Sequence, residues 1–388
     1  MQLREWNARL HGLVVFRALL GDPVVAKLAA LTDRLEAADD TIAPLCDAVA
    51  AFEAALFAHT TNLGDYLSNA VLETETVCVR QAAAGQLSPV MEAALNSELN
   101  FLQKLCGLTL DTLLEAADRQ NRELAFLPRW EARQLDLTAA YNQRMREAGK
   151  KGYGMFAKHH VFTVENGQLV PVKYPDPQKL SELPGYEKER EKVIANTRAL
   201  LAGSPANNVL LYGDAGTGKS STVKAIANEY AADGLRLVEV KKNQLYQIPD
   251  LMDQLAANPL KFILFIDDLS FSSNDDNFAA LKAILEGSVG GRARNIAVYA
   301  TSNRRHLIKE TLQELMSLSA RFGLTVTFQR PEKARFAAIL EELAKQHHIQ
   351  MPMEELLVKA EAFAIRAGGR SPRVAKQFIE QCESGVQK

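Results

Sequence analysis

The most informative residues in the sequence form a short glycine-rich segment whose spacing fits the pattern GxxxxGK[ST] at every fixed position. They are Gly213, Asp214, Ala215, Gly216, Thr217, Gly218, Lys219 and Ser220, followed by Ser221. The segment follows the apolar run NVLLY (208–212) and opens the helical pattern SSTVKAIANEY (220–230), the strand–loop–helix context of a phosphate-binding loop. Glycines let backbone N–H groups turn inward around a phosphate, and a helix N-terminus adds positive potential. Lys219 is therefore expected to reach the β- and γ-phosphates of a nucleotide, and the Ser220 hydroxyl to bind Mg²⁺.

Two neighbouring acids are a second group of residues suited to the same chemistry. The apolar run FILFI (262–266) is followed directly by Asp267 and Asp268. Beside a phosphate-binding loop, an acid at the tip of such a strand holds Mg²⁺, so Asp267 is the metal candidate alongside Ser220. Asp268 stands where a catalytic base would polarise the attacking water. The alternative is a pair of solvated acids in a loop between a strand and a helix.

Four further residues are candidates because of where they stand relative to predicted elements. They are Asn303 at the end of NIAVYATSN (295–303), Arg321 in LSARFGL (318–324), Arg373 in GGRSPRVA (368–375) and Tyr186 in LPGY (183–186). Taken alone, each has an ordinary structural interpretation. Asn303 would cap the following helix, Arg321 would lie near a helix end closed by Gly323, and Arg373 would be solvated at a helix start.

Together, these segments resemble the AAA+ ATPases. The resemblance implies that Asn303 is the sensor 1 residue, which contacts the γ-phosphate or the lytic water. It implies that Arg373, with Arg370 as the alternative, is sensor 2 in a helical lid. It also implies that Arg321 reaches the nucleotide site of a neighbouring subunit, since a guanidinium stabilises charge spread over phosphoryl oxygens. Tyr186 would pack beside the adenine, or belong to an ordinary turn before a helix.

Four stretches are more narrowly similar to a bacterial family of predicted ATPases named domain of unknown function 815. They are PANNVLLYGDAGTGKSS (205–221), FILFIDDLSF (262–271), YATSNRRHLI (299–308) and SARFGL (319–324). The resemblance covers roughly residues 155–385 and brings no substrate with it. The sequence departs from the family pattern at two positions. Ala320 stands where an acid is expected before the arginine that acts in trans, Arg321. Asp268 stands where many AAA+ ATPases carry Glu. Asp is one methylene shorter, which bears on the rate of hydrolysis rather than on nucleotide binding.

The elements that would position these residues alternate along the chain after Tyr186. Short apolar runs at 208–212, 235–240, 262–267, 295–302 and 324–328 predict buried parallel strands, with helical segments between them. We therefore predict an α/β fold: a P-loop AAA+ parallel sheet over residues 184–330 and a C-terminal helical lid over 331–388. Residues 1–150, rich in Ala and Leu, predict an all-α N-terminal domain. The segment 151–183 predicts a connector with a short β-hairpin around Asn166-Gly167.

Composition narrows the class without naming a function. The 388 residues include 47% hydrophobic and 24% charged residues, which is ordinary for a globular protein and excludes a disordered or collagen-like chain. The net charge of −2 hides an asymmetry: residues 1–150 carry 14 basic and 20 acidic residues, and the remainder 31 and 27. The four cysteines form no CxxC pair, and no signal peptide or membrane span is evident, so a reducing, cytoplasmic location is expected.

The sequence thus predicts a protein that binds ATP and Mg²⁺, hydrolyses ATP, and couples the nucleotide state to conformational change or remodelling of an unknown partner. We expect a homo-oligomer in which Arg321 acts in trans, and a protein partner bound through residues 1–150. A phosphotransferase acting on a small molecule ranks last among the alternatives, because a kinase needs an acceptor pocket rather than an arginine that spans subunits. Two alternatives rank above it. One is a DNA-linked loader or initiator-like ATPase, although no helix-turn-helix or aromatic-interleaved basic patch supports nucleic-acid binding. The other is a nucleotide-gated scaffold with little turnover. No membrane partner is expected.

Overall fold

The computed structural model describes residues 2–37, 41–83, 86–118, 124–269, 281, 284–285, 293–303 and 320–385. Residues 270–271, 304–308 and 318–319, which belong to motif stretches quoted above, lie outside the described residues. The chain divides into two compact units, Met1–Ala157 and Lys158–Lys388.

The chain before the first strand is helical wherever it forms regular elements that the structure describes. The α-helices are α1 (Leu3–His11), α2 (Pro23–Glu36), α3 (Ile42–Phe57), α4 (Leu63–Glu73), α5 (Val77–Ala83), α6 (Pro89–Cys106), α7 (Leu110–Ala116), α8 (Leu137–Arg146), α9 (Ala148–Lys151) and α10 (Met155–Lys158). Asp22, Ser88 and Asp136 accept hydrogen bonds from backbone N–H groups in the first turns of α2, α6 and α8. The apolar helix faces share one buried core, in which Phe52 and Trp130 pack edge to face. The all-α N-terminal region is confirmed.

A seven-stranded sheet forms the centre of the second unit, as far as that unit is described. The strands are β1 (Val161–Glu165), β2 (Gln168–Pro171), β3 (Val209–Gly213), β4 (Leu235–Glu239), β5 (Lys261–Ile266), β6 (Ile296–Asn303) and β7 (Leu324–Phe328). Their spatial order is β2-β1-β4-β5-β6-β3-β7, and every neighbouring pair is parallel except β1 with β2. The α/β fold class is confirmed, and each predicted strand is found to within one residue at each end. The glycine-rich loop leaves β3 between β6 and β7, so the carboxyl ends of these strands border it.

The connector region contains the hairpin, but that hairpin belongs to the main sheet. Asn166 has φ 50° and Gly167 has φ 76°, the two positive values that a tight two-residue hairpin turn needs. β1 pairs in parallel with β4, where Val161 lies opposite Leu237. Alternate residues of β1 are buried, which lets the hairpin cover an otherwise open sheet edge. Residues 161–171 therefore extend the sheet instead of forming a separate linker.

The helices of the second unit divide into those beside the sheet and those of the lid. Beside the sheet are α11 (Glu187–Leu201), α12 (Lys219–Glu229) and α13 (Ile248–Ala256); the lid comprises α14 (Lys333–Gln346), α15 (Met353–Arg366) and α16 (Pro372–Glu383). Buried lid residues such as Leu340 and Phe378 share one hydrophobic core with the strands. The lid is thus packed on the sheet. Within the described ranges, no helix has both the length and the apolar character to cross a bilayer.

Candidate nucleotide-binding site

The glycine-rich loop joins β3 to α12, and its path depends on two glycines. Gly213 has φ 143°, and a Cβ there would overlap the carbonyl group of Phe328 on β7. A side chain at this point would force β3 and β7 apart where the loop begins. Gly218 has φ 87° and directly precedes α12, so the loop turns straight into a helix N-terminus. The free N–H groups of that first turn are the donors that a phosphate requires.

Lys219 is held at the mouth of this loop by three hydrogen bonds. The side chain is buried, with the residue 6% exposed. Its Nζ donates to the carbonyl oxygens of Gly213 (3.1 Å) and Asp214 (2.8 Å) and to Oδ1 of Asn303 (2.9 Å). Burial lowers the pKa of Lys219, and the charge of nearby carboxylates, Asp214 first among them, opposes that shift. The ammonium group is therefore already placed where a phosphate on the loop would meet it.

Asp267 directly follows β5, and one of its carboxylate oxygens accepts three hydrogen bonds. Its Oδ1 accepts from Oγ of Ser220 (2.6 Å), from Oγ1 of Thr301 (2.5 Å) and from the backbone N–H of Asp268 (3.1 Å). The Thr301 hydroxyl in turn accepts from that same N–H (2.9 Å). Carboxylate and hydroxyl oxygens are the ligands that Mg²⁺ prefers. The residues present therefore fit a magnesium ion, with Ser220 and Asp267 as its holders and Thr301 orienting the carboxylate.

Asp268 and Asn303 form a second pair at the tips of β5 and β6. Nδ2 of Asn303 donates to Oδ1 of Asp268 (2.7 Å), while its Oδ1 accepts from Lys219. Asn303 thus bridges a cation and a carboxylate, and its amide orientation is fixed by both bonds. Asp268 has φ 52°, a left-handed conformation that is unusual for a residue other than glycine. Such backbone strain is often found at functional sites.

The lid reaches the loop through the start of α16. The backbone N–H of Arg373 donates to the carbonyl oxygen of Gly216 (3.1 Å), and the Arg373 side chain lines the cleft. Ser371 caps α16 by accepting from the N–H of Val374 (3.2 Å). Arg370, the alternative sensor, instead pairs through Nε with both oxygens of Glu361 (2.9 and 3.0 Å). Of the two arginines, only Arg373 is brought to the cleft.

Arg321 lies away from the loop of its own chain. It precedes β7, whose last residue, Phe328, lies opposite Gly213 in the parallel pairing with β3. β7 begins at Leu324, opposite Val209 at the start of β3, and its five residues span about 13 Å from first to last. Arg321 therefore stands near the amino edge of the sheet, whereas the loop leaves the carboxyl edge. The structure does not bring Arg321 together with the other candidates.

Tyr186 is buried beside the cleft and does not line it. The residue is 2% exposed, its ring stacks on Phe328 with centroids 5.3 Å apart, and its hydroxyl donates to the carbonyl of Gln329. Arg335 covers the ring at 4.9 Å from the centroid. Burial raises the pKa of Tyr186 to about 12. The ring thus packs against strand and lid residues, while Leu183 and Pro184 of the same segment face the cleft.

The cleft has a volume of about 590 Å³, and sequence reasoning missed part of its wall. Lining residues without a predicted role include Asp176, Gln178, Glu182, Arg190, Thr301 and Lys376. Arg190 on α11 is 7% exposed and pairs with Glu187 (3.3 Å); burial lowers its pKa. Lys376 lies one helical turn beyond Arg373, a spacing that would have identified it. Asp176 and Glu182 lie in the segment 151–183, for which the sequence predicts only a connector with a short hairpin.

The parallel sheet with its loop after β3 places the chain among the P-loop proteins, and the helical lid that contacts that loop narrows the class to the AAA+ type. Within this class, the chain belongs to the family described as "Protein of unknown function (DUF815)". The family model matches residues 156–386, which is more than half of the 388 residues.

Among solved structures, a mutant of RuvB from Thermotoga maritima is similar, with 20% sequence identity and a TM-score of 0.37. The similarity covers 53% of this chain and 64% of that chain. The chain thus spans somewhat less than two thirds of the RuvB structure.

Proposed function

We propose that the protein binds ATP together with Mg²⁺ in this cleft and hydrolyses it to ADP and phosphate. The observation that carries the proposal is the hydrogen-bonded chain from Lys219 through Asn303 to Asp268, with distances of 2.9 and 2.7 Å. It links the cation expected at the γ-phosphate to the carboxylate expected to act on water. A general base needs this kind of fixed position within one hydrogen bond of its water.

Each side chain then has a role in binding or positioning. Ser220 and Asp267 would hold Mg²⁺, which when bound neutralises charge on the phosphate oxygens. Lys219 releases the carbonyl groups that it contacts and donates to the β- and γ-phosphates instead. Asp268 orients the water and accepts its proton, and Arg373 stabilises charge on the γ-phosphate from the lid side.

The proposal includes a homo-oligomer in which Arg321 completes the site of a neighbouring subunit. Its support is geometric: Arg321 and the loop stand at opposite edges of one sheet, so the arginine cannot serve its own cleft. A guanidinium supplied by a neighbour would stabilise the charge that develops on the phosphoryl oxygens.

The proposed output of the cycle is a movement of the lid. Arg373 bonds to the loop through its main chain and lines the cleft with its side chain, so a change in the nucleotide acts on α16 directly. We infer that this movement remodels or regulates a partner protein that binds the N-terminal helical unit.

One observation favours a second candidate, a nucleotide-gated scaffold with little turnover. The Asp268 carboxylate is already engaged by Asn303 at 2.7 Å, and Asp is shorter than the Glu that many AAA+ ATPases carry. Turnover measured at high protein concentration, where an oligomer would form, separates the two candidates. Turnover that stays negligible while ATP still binds favours the scaffold.

The decisive test of nucleotide binding is Lys219→Ala. Removal of the ammonium group should abolish ATP binding or turnover, because Lys219 supplies the cation that is bonded to the carbonyl groups of the loop itself. Lys224→Ala is the matched control, since Lys224 lies on the same helix and does not line the cleft. Turnover in Lys219→Ala equal to that of the wild type would contradict the proposal.

A further inference from the structure

The chain passes from the N-terminal unit into the sheet through a very short connection. The last helix before the sheet, α10, contains the boundary between the two units and ends at Lys158, and β1 begins at Val161. His160 therefore lies two residues after the end of this helix. Two residues span at most about 7 Å when fully extended. His160 thus cannot move further than this from the end of α10 without displacing the helix.

His160 is held by two elements of the second unit. Its carbonyl oxygen accepts from the backbone N–H of Leu237 on β4 (2.8 Å). Its ring nitrogen Nε2 lies 2.9 Å from Oδ1 of Asn228 on α12. Because α12 begins at Lys219, His160 contacts the same helix that starts at the phosphate-binding loop.

The other hydrogen bonds of Asn228 decide which atom donates in this contact. Its Nδ2 donates to the carbonyl oxygens of Asp176 (2.8 Å) and Gln178 (2.9 Å). Both amide hydrogens are then used, so Oδ1 accepts and Nε2 of His160 donates. The bond persists whether the imidazole is neutral or protonated, because Nε2 carries a hydrogen in both forms. Asn228 therefore joins three parts of the chain: α12, residues 176–178 and the residue before β1.

Residues 176–182 extend from Asn228 along the wall of the cleft. The side chains of Asp176, Gln178 and Glu182 line the cleft. Oε2 of Glu182 accepts from Nε2 of Gln178 (2.9 Å) and from the backbone N–H of Lys179 (3.0 Å). These bonds stiffen the segment, so a displacement of its cleft face also moves the carbonyl groups that Asn228 holds.

The lid contacts the same segment. Nε2 of Gln346, the last residue of α14, donates to the carbonyl oxygen of Ser181 (3.1 Å). A continuous series of hydrogen bonds therefore runs from the lid through residues 176–182 and Asn228 to His160. Connected hydrogen bonds and rigid elements of this kind carry coupling between separate sites.

We propose that Asn228 is the junction through which the state of the cleft and the lid reaches the N-terminal unit, and that His160 is its contact on the connection to α10. The inference rests on the proposed function, because it needs a nucleotide to bind in the cleft. It names the residues that connect the lid to the unit for which a partner is proposed.

The test uses the full chain and two signals from the N-terminal unit and its last helix. Both tryptophans, Trp6 and Trp130, lie in the N-terminal unit, so tryptophan fluorescence reports on that unit. Hydrogen exchange of the α10 amides, detected by mass spectrometry, reports on the helix next to His160. Each protein is measured without nucleotide and when saturated with MgATP according to its own Kd, so an altered affinity does not affect the comparison. In the wild type, MgATP should change both signals.

Three substitutions separate the hydrogen bonds from the side chains that make them. His160→Leu removes the donor, so the response to MgATP should be lost. His160→Gln places an amide donor near the position of Nε2 and should keep the response. Asn228→Asp still accepts from His160 but cannot donate to the two carbonyl groups, so the response should again be lost. His159→Leu makes the first change at the neighbouring residue and, as the control, should respond like the wild type.

The outcomes distinguish the junction from the proposed function. A wild-type response in His160→Leu or in Asn228→Asp would overturn the inference, as would a lost response in His160→Gln. A His160→Leu protein that no longer binds MgATP would give His160 a structural role and would overturn it too. If the wild type binds MgATP and neither signal changes, the inference fails and the proposed function stands. If the wild type does not bind MgATP, the proposed function fails and the inference with it.

Discussion

The two ends of the cleft are built by different kinds of hydrogen bond. At the phosphate end, the bonds that join different strands and helices run between side chains, Lys219 to Asn303 and Ser220 to Asp267, although Lys219 also donates to two carbonyl groups of the loop. At the other end, part of the wall is formed by residues 176–184, which we call the strap, and the positioning bonds run from side chains to main-chain carbonyl groups, as from Asn228 to Asp176. A side-chain pair requires both residue types, whereas a main-chain acceptor is supplied by any residue.

This difference predicts how substitutions at each end of the cleft should affect turnover and nucleotide affinity. At the phosphate end, one change removes a group that we propose to touch the reacting atoms, and it leaves the hydrogen-bond partner of that group unpaired in a confined site. At the strap end, one change would loosen a wall of the cleft without removing a group from the phosphate-binding loop. Substitutions should therefore fall into two groups, with loss of turnover at the first end and altered nucleotide affinity at the second.

Among substitutions at the phosphate end that leave ATP bound, Asp268→Asn should cause the largest loss of turnover. The amide keeps the shape of the side chain but cannot accept a proton from water, so turnover should fall roughly 10²- to 10⁴-fold while ATP binding persists. Single-turnover kinetics and equilibrium binding measure the two separately. Asp233→Asn, in an exposed turn outside the cleft, serves as the control. Near-normal turnover in Asp268→Asn would remove this residue from the chemistry.

Arg321→Ala should reduce turnover on the order of 100-fold, the loss expected when one donor to the developing charge is removed. Arg366→Ala, at an exposed lid position, is the control. Mixing Arg321→Ala with Asp268→Asn should restore part of the activity, since some interfaces then combine an intact cleft with an intact arginine. If the mixture stays as inactive as its components, Arg321 does not act in trans.

Thr301→Val should produce a smaller effect at the same end. The isosteric change removes a donor to Asp267 (2.5 Å) and an acceptor for the N–H of Asp268 (2.9 Å). Loss of a residue that orients a metal ligand costs about tenfold or more in metal affinity. The Mg²⁺ concentration for half-maximal turnover should rise accordingly, and Thr301→Ser should restore it. An unchanged Mg²⁺ dependence would argue against Asp267 as a magnesium ligand.

The same contrast explains what the sequence predicts well. The strands are continuous apolar runs, and the loop needs glycines at fixed spacing, so both leave a pattern in neighbouring residues. The strap does not, because its path depends on Asn228, about fifty positions later, and on carbonyl groups common to every residue. Tyr186 shows the same limit: its segment borders the cleft, but its ring packs on Phe328, 142 positions further along the chain.

Buried polar groups also differ between the nucleotide cleft and the N-terminal unit. Lys219 in the cleft is buried with three partners. Glu53 on α3 is 2% exposed, and neither carboxylate oxygen has a hydrogen-bond partner in the described part of the chain. Burial raises the pKa of Glu53 to about 7, against an opposing effect of the Arg129 charge. The N-terminal unit thus contains a carboxylate whose burial favours the protonated form.

This difference predicts a pH-dependent stability confined to the N-terminal unit. The raised pKa means that the folded unit keeps a proton that the unfolded chain releases above pH 4.5, so wild-type stability falls as pH rises from about 4.5 to 7. Glu53→Gln carries no such proton. The free energy of unfolding of Glu53→Gln minus that of the wild type should therefore be about 1 to 3 kcal/mol larger at pH 8 than at pH 4.

Tryptophan fluorescence during chemical denaturation measures this effect selectively, because both tryptophans, Trp6 and Trp130, lie in the N-terminal unit. Glu115→Gln, at an exposed position on α7, makes the same substitution without burial and should show no pH-dependent gain. A constant difference between Glu53→Gln and the wild type at both pH values would mean that Glu53 does not titrate differently on folding. It would then follow that its charge is compensated in the folded unit.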